Sequence, residues 1–250
     1  RRESLAYREI LPATPGQHPK PWAVMDRGET CALLLDDLSG HRVVDQLDGL
    51  GADDAVSVAA ALARLHTAWA GAGDRLGGVR LNTLASLAPA GLDAGLEALT
   101  TRWADVIGPA EHAVFTALRA AHPVLVERFG DQPVTLCHGD PRADNLVFDH
   151  AATPVLFDWQ QMAVQFGEAD LAWLAATSLT VETRRQAERD LVQAADGDLE
   201  RYRLGLALPG LAVLFLAQRE LPNERARRFV ATSLQRIAAA VADNDTASLT

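Results

Sequence analysis

The chain has 250 residues, 48% of them hydrophobic, which is enough to bury a substantial core and excludes a disordered or low-complexity polypeptide. Its 33 acidic residues outnumber 23 basic ones, for a net charge of −10, so nucleic acid is not an expected partner: binding its phosphates needs clustered positive charge. Cys31 and Cys137 lie far apart without C-x-x-C spacing, which argues against a disulfide framework or structural zinc and fits a reducing, cytoplasmic setting.

In chain order, residues 2–11 (RESLAYREIL) predict a helix ended by Pro12 and a Pro/Gly-rich loop through Pro21. WAVMDRGETCALLLDDL (22–38) predicts two strands about a turn at 26–29, the second being the apolar CALLL. From Gly51 the pattern becomes helical. Val58, Leu62, Leu65 and Trp69 recur at i, i+4, i+7 and i+11, with Asp53 or Asp54 as the expected cap and His66 beside the apolar face as a core histidine. A looser helix is expected over 91–106 and another from Pro109, where proline suits the first turn.

Three short β-like runs follow, at 134–137, 146–148 and 155–157, the last two joined as a hairpin by DHAATP. Beyond them the sequence predicts helices to the end: ADLAWLAATSL, then 181–194, 208–219 and 223–242. In the last, Val230, Leu234, Ile237 and Val241 share a face. LPGLAVLFLA (208–217) falls short of the roughly 18 apolar residues of a spanning helix and reads as a buried core helix, so no membrane partner is expected. The basic clusters TRRQAER (183–189) and ERARR (224–228) read as solvated helix faces, and Trp159 and Trp173 as core. A scrap of sheet ahead of a mainly helical body with one inserted hairpin gives α+β as the fold class.

The hairpin carries unusual polar density. CHGDPRADNLVFD (137–149) and PVLFDWQ (154–160) place His138, Asp140, Asn145 and Asp158 around apolar runs, and buried carboxylates and amides are costly unless paired or bound to a cation. Asn145 and Asp158 could converge at one end of the hairpin, with Asp140 facing the same space. Magnesium prefers such a site, of one or two carboxylates and an amide oxygen, with water and phosphates completing the shell. A carboxylate that binds no metal can accept a proton from a substrate hydroxyl.

HGDPRADN, with Asp158 thirteen residues beyond Asn145, resembles the catalytic loop and metal-binding aspartate of protein-kinase-like phosphotransferases, whose loop reads H-R-D-x-x-x-x-N. His-Gly-Asp and Asp-Trp-Gln point to the aminoglycoside phosphotransferase and choline kinase superfamily. The run HGDPRADNLVFD…LFDWQ…ADLAWL most resembles its ecdysteroid-kinase-like and related uncharacterised branches. The likeness extends from CALLLDDL through ARLH to DLAWL.

The resemblance implies a two-lobe fold with an incomplete N-terminal β lobe and hinge over 1–38, and a helical C-terminal lobe over 39–250 that carries the catalytic loop and acceptor site. It implies an ATP- and Mg²⁺-dependent kinase of a small-molecule hydroxyl. Asp140 would be the base, Arg142 would offset charge on the transferring phosphate, and Asn145 and Asp158 would hold magnesium. The backbone around Leu35, Asp36 and Leu38 would form the adenine hinge, with Glu3 as the glutamate that pairs with an ATP-binding lysine. His138 would be structural, and Asp170, besides possibly capping its helix, would brace the loop.

That lysine should precede Glu3 behind a glycine-rich loop, yet Lys20 is the only lysine and lies downstream. The chain opens Arg1-Arg2-Glu3 without an initiator methionine, so the missing strands are expected upstream in the natural protein; 193–205 also looks short for the family. The alternative reading is a pseudokinase or nucleotide-binding scaffold. A metal-dependent hydrolase using Asp140 and Asp158 ranks third, for want of a histidine cluster. Excess acid favours a cationic or neutral acceptor over an anionic one.

Overall fold

The structure is a computed structural model that describes residues 2–28, 30–71 and 84–248. Residues 2–13 are helical throughout but not uniform: α1 (Arg2–Leu5) runs into a π-helical turn (Ala6–Ile10) and a 3₁₀ turn (Leu11–Ala13), the last containing Pro12. Strands β1 (Pro21–Asp26) and β2 (Cys31–Leu35) pair antiparallel as the sequence predicts. Of the turn expected between them, Glu29 lies outside the described residues, as does Arg1. The apolar content of this ribbon is not buried: Trp22, Met25 and Leu34 are 66%, 54% and 62% exposed, while Val24, Leu33 and Leu35 turn toward the body.

Helix α2 (Ala52–Ala68) buries Val58, Leu62 and Leu65. Its cap is Gly51 rather than Asp53 or Asp54; Asp54 instead forms a two-pronged pair with Arg42 at 2.7 and 2.9 Å. Helix α3 (Pro89–Thr101) begins and ends a few residues before the expected 91–106, and α4 (Pro109–Gly130) starts on its proline as anticipated.

The sequence predicts one hairpin here; the structure has two antiparallel pairs. β4 (Leu146–Phe148) and β5 (Pro154–Leu156) form the expected hairpin, tied at its turn by the Asp149 carboxylate, which accepts the Ala151 and Thr153 amides. β3 (Thr135–Cys137) finds its partner in β6 (Ala163–Gln165), a run too short and too plain to read as a strand by itself. Closing β3 against β6 brings Gly139 against the 159–161 turn, which fixes the relative position of the 138–145 loop and Asp158.

The remaining helices are α5 (Glu168–Ser178), α6 (Val181–Ala194), α7 (Leu199–Gly205), α8 (Ala207–Ala217) and α9 (Glu224–Asp243). α8 is buried on nearly all sides, and α9 buries Val230, Leu234, Ile237 and Val241, each contributing on the order of 2 kcal/mol by leaving water. Among the described residues no helix is long and apolar enough to cross a membrane. One of the two basic clusters departs from expectation. Arg184 is only 1% exposed and bridges Glu188 and Asp243, so TRRQAER is half structural, whereas Arg225 and Arg227 of ERARR pair at the surface with Asp45 and Asp105.

Candidate active site

The 138–145 loop is held mainly from one helix. Asp170, in the first turn of α5, accepts the backbone amides of His138 (2.8 Å) and Gly139 (2.9 Å) and the Nε2 of His66 (3.0 Å). It is fully buried, and those three donors together with its place in the first turn compensate the charge. Its carboxylate therefore grips another segment rather than capping its own helix, whose N-cap is Gly167. His66 is accordingly a bonded, half-buried histidine.

Gly139 shows why this loop reads His-Gly-Asp. Its φ is +86°, and a Cβ placed there would meet the Gln161 carbonyl oxygen at 2.0 Å. Both the left-handed backbone and the close approach require glycine. His138 is buried beside it, with its ring 4.6 Å from Trp159 and its Nε2 2.9 Å from the Phe157 carbonyl. That carbonyl can only accept, so Nε2 carries the proton and Nδ1 is left to receive the Asp140 amide at 3.4 Å. Burial pushes the imidazole pKa down, which keeps it neutral.

Asp140 is 9% exposed. Its Oδ1 accepts the Trp173 indole N–H at 2.7 Å, its Oδ2 accepts Asn145 Nδ2 at 3.0 Å, and Arg142 Nε stands 3.7 Å from Oδ2. Burial pushes this carboxyl above the ordinary aspartate range; Arg142, His138, Trp173 and Asn145 each pull it back. The result is a desolvated carboxylate fixed in orientation by named donors, which is what a positioned base requires.

Asn145 spends its Nδ2 on the Asp140 carbonyl (2.8 Å) and carboxylate, which leaves Oδ1 as the atom to offer a cation. Its own carbonyl accepts the Phe157 amide at 3.1 Å, so Asp158 follows within one residue of Asn145's backbone. Asp158 sits in the left-handed region, φ +61° and ψ +67°, a conformation aspartate tolerates better than most side chains. Its Oδ2 accepts Gln160 Nε2 at 3.0 Å, but its Oδ1 is buried without a hydrogen-bond partner.

Glu3 faces the same place. α1 packs on the turn after Asp158, and burial, then the Asp158 carboxylate, push Glu3 up, partly offset by the Trp159 amide. Burial, Glu3 and Asp158 also push the Tyr7 hydroxyl well above its usual range, and that hydroxyl has no partner. Two carboxylates turned together beside a neutral phenol form a site of negative potential. The orphaned carboxylate oxygen of Asp158 and the uncommitted amide oxygen of Asn145, on segments joined by the Phe157–Asn145 backbone bond, are donors of the kind that suits a hard divalent cation. Lys20 does not enter it: its ammonium lies over the Trp22 ring at 4.9 Å.

Of the expected hinge, Leu35 pairs with Pro21 at the end of β2, and Asp36 is held by the Lys20 amide (2.9 Å) and Trp22 indole (2.8 Å). Asp36 and Leu38 line a cavity of about 480 Å³ whose far wall is Val155 of β5, three residues before Asp158. A second cavity, of about 470 Å³, opens over Asp140, Arg142 and Trp173 toward α8.

His66, Cys137 and Asp170 present ligand-type atoms within 4.8 Å of one another. The chemistry is wrong for a metal: Asp170 is already bound by three donors, and burial, followed by Asp170 and Glu168, pushes the Cys137 thiol well up, so it stays protonated and points to the Gln165 and Phe166 carbonyls.

Sequence reasoning assigned Trp173 to the core and passed over Ser178, whose Oγ accepts the Ala143 amide at 2.9 Å. The signal was present as helix spacing. Asp170, Trp173 and Ser178 recur at i, i+3 and i+8, so one stripe of α5 holds the beginning, carboxylate and end of the loop.

No curated protein matches the chain in sequence. Among solved structures, a choline/ethanolamine kinase family protein from Mesorhizobium loti is 21% identical with a TM-score of 0.58, over 96% of this chain and 83% of that one. A microcompartment-associated aminopropanol kinase superposes with a TM-score of 0.63 at 15% identity, over 97% and 79%. A spectinomycin phosphotransferase, solved with ADP and spectinomycin, gives 0.60 at 11%, over 97% and 82%. At these identities the likeness shows the fold, which is protein-kinase-like with an abbreviated N-terminal β portion. A model of the family described as "Phosphotransferase enzyme family" matches residues 7–204, most of the chain including every loop described above except Glu3, and the chain therefore belongs to that family.

Proposed function

We propose that the chain is an ATP- and magnesium-dependent kinase that moves the γ-phosphate of ATP to a hydroxyl of a small molecule in the cytoplasm. The observation that carries this is the joint geometry of a desolvated, oriented Asp140 and, one loop away, the orphaned Asp158 Oδ1 with the uncommitted Asn145 Oδ1. Residues 1–38 serve as the nucleotide-binding portion and hinge, with adenine in the cavity at Asp36 and Leu38, and 39–250 as the acceptor-binding body. Asn145 and Asp158 would hold Mg²⁺, which when bound neutralises charge on the ATP phosphates.

Asp140 orients the acceptor hydroxyl and takes its proton as the acceptor oxygen bonds to the γ-phosphorus and the bond to the β–γ bridging oxygen breaks. ADP leaves with that electron pair. Arg142, fixed 3.7 Å from Asp140, offsets charge on the transferring phosphoryl group. His138 and Asp170 hold the loop without touching substrate.

Calorimetric titration with ATP, with and without magnesium, tests the reading. Asp140→Asn is expected to lose at least a thousandfold in kcat while binding Mg·ATP within about threefold of wild type, because it removes the base and not the metal ligands. Asp158→Ala should lose the magnesium dependence of ATP binding; unchanged Mg·ATP affinity in that variant contradicts the metal assignment. A second reading is a nucleotide-binding pseudokinase, which the turning of the Glu3 carboxylate toward Asp158 would also fit. Mg·ATP binding without phosphotransfer to any hydroxyl acceptor would decide for it.

A further inference from the structure

The cavity over Asp140 carries a charge pattern opposite to that of the whole chain. Its described lining holds three charged side chains: Asp140, Arg142 and Arg219. The one carboxylate is already committed to the Trp173 indole, the Asn145 amide and the acceptor hydroxyl, so no acidic side chain is left to receive an ammonium. The rest is an apolar wall from α8, with Phe215 and Leu216, and an amide floor from Gln161. The volume, about 470 Å³, lies within the range of small-molecule sites.

The two arginines are placed differently. Arg142 is pinned between Asp140 and the Phe229 ring, 5.5 Å from its guanidinium, with its Nε buried and unbonded, so it belongs to the phosphoryl end. Arg219 is exposed at the mouth, just past the end of α8. Its backbone is not loose: Arg102 reaches across from the end of α3 and donates to the carbonyls of both Gln218 and Arg219. That clamp fixes the chain from which the Arg219 side chain enters the pocket mouth.

Resting on the kinase reading above, we infer that the acceptor is a hydroxylated carboxylic acid with an apolar body, its hydroxyl at Asp140, its body along Phe215 and Leu216 and its carboxylate at Arg219. Among the described residues a polycation entering here meets two guanidiniums and no uncommitted carboxylate, a mismatch that disfavours amine-rich acceptors. The overall charge of −10 does not decide the matter, since a pocket responds to its own lining and not to the sum over the surface.

The test is binding to the full chain without nucleotide, measured by calorimetry for a panel of hydroxy acids (glycerate, mandelate, 3-hydroxydecanoate), their neutral amides, choline and kanamycin. The expected result is that mandelate or 3-hydroxydecanoate binds at least tenfold tighter than its amide and tighter than either cation. Arg219→Glu should invert that acid-over-amide preference and Arg219→Lys should keep most of it; the position is exposed, so neither variant removes a core contact, and a melting curve checks that both fold. Choline or kanamycin binding more tightly than every acid, or an acid preference that survives Arg219→Glu, overturns the inference. Supplying Mg·ATP then separates the two claims. Acids that bind but are never phosphorylated count against the kinase reading while leaving the acid preference standing, and phosphorylation confined to the cations supports the kinase and sinks the acid acceptor.

Discussion

Trp173 concentrates the chemistry of single residues at this site. Its indole donates to Asp140 Oδ1 at 2.7 Å, which stabilises the ionised carboxylate and, with Asn145 Nδ2 on the other oxygen, fixes its orientation. Burial raises Asp140 above its ordinary pKa of 3.8, so if Asp140 is the base of the proposed kinase the acid limb of kcat/KM should lie above that value, with activity lost as pH falls through the raised pKa because the carboxylate becomes protonated. Trp173→Phe removes a bond that lowers the pKa, so the limb should move to still higher pH and kcat at neutral pH should drop roughly tenfold, the worth of one charge-assisted bond. A pH–rate profile with an unmoved limb would show that the indole only fills space. The sequence displayed this residue plainly, as part of DLAWL, yet an indole reads as core by composition; only the i, i+3 offset from Asp170 marks it as sharing that residue's face.

At the scale of elements, what was legible and what was not divide by the range of the signal. Helices α2 and α9 follow from local periodicity, α8 from an unbroken apolar run, and the β4–β5 hairpin from two apolar runs around an Asx-type turn. The β3–β6 pair joins strands about thirty residues apart through three residues each, which no local pattern announces. Arg184 was misread for the same reason. Within TRRQAER it looks like its exposed neighbour Arg185, and both reach Asp243 of α9, but Arg184 is buried and also meets Glu188, one turn on, which receives the Tyr202 hydroxyl (2.7 Å) and the Asn244 amide (3.0 Å). This polar knot ties α6 to α7 and α9. Arg184→Met deletes the buried cation at Glu188 and leaves Asp243 only the exposed Arg185, so it should cost about 3 kcal/mol in denaturant unfolding, against less than about 0.5 kcal/mol for Arg203→Met, whose partner Glu200 is exposed. Equal midpoints for the two variants would mean that the knot is relaxed by water.

At the scale of the whole molecule, the question is how the front segment is seated on the helical body. α1, with its π-helical continuation, buries Ala6, Tyr7 and Ile10 in the common core, and this same docking turns Glu3 toward Asp158. Apolar burial thus holds together two carboxylates that repel, an arrangement costly without a cation and favourable with one. The sign can be worked out. Glu3's pKa in the folded chain is raised above its ordinary 4.5, first by burial and then by Asp158, so its ionisation destabilises the ligand-free fold. That penalty is absent below the unfolded-state pKa, grows as pH rises toward the folded-state value, and is constant above it. Glu3→Gln keeps an acceptor for the Trp159 amide and removes the charge, so the ligand-free variant should melt higher than wild type at pH 7, with the gap closing as pH falls below about 4.5. Ligand should reverse the comparison. A ligand at a hundred times its Kd stabilises by about 2.7 kcal/mol, so if the carboxylate pair exists to meet a metal–nucleotide complex, Mg·ATP should raise the wild-type Tm by more than that of the variant. A variant that gains in the ligand-free state and responds equally to Mg·ATP would place Glu3 outside the nucleotide site and make its contact with Asp158 a matter of folding alone.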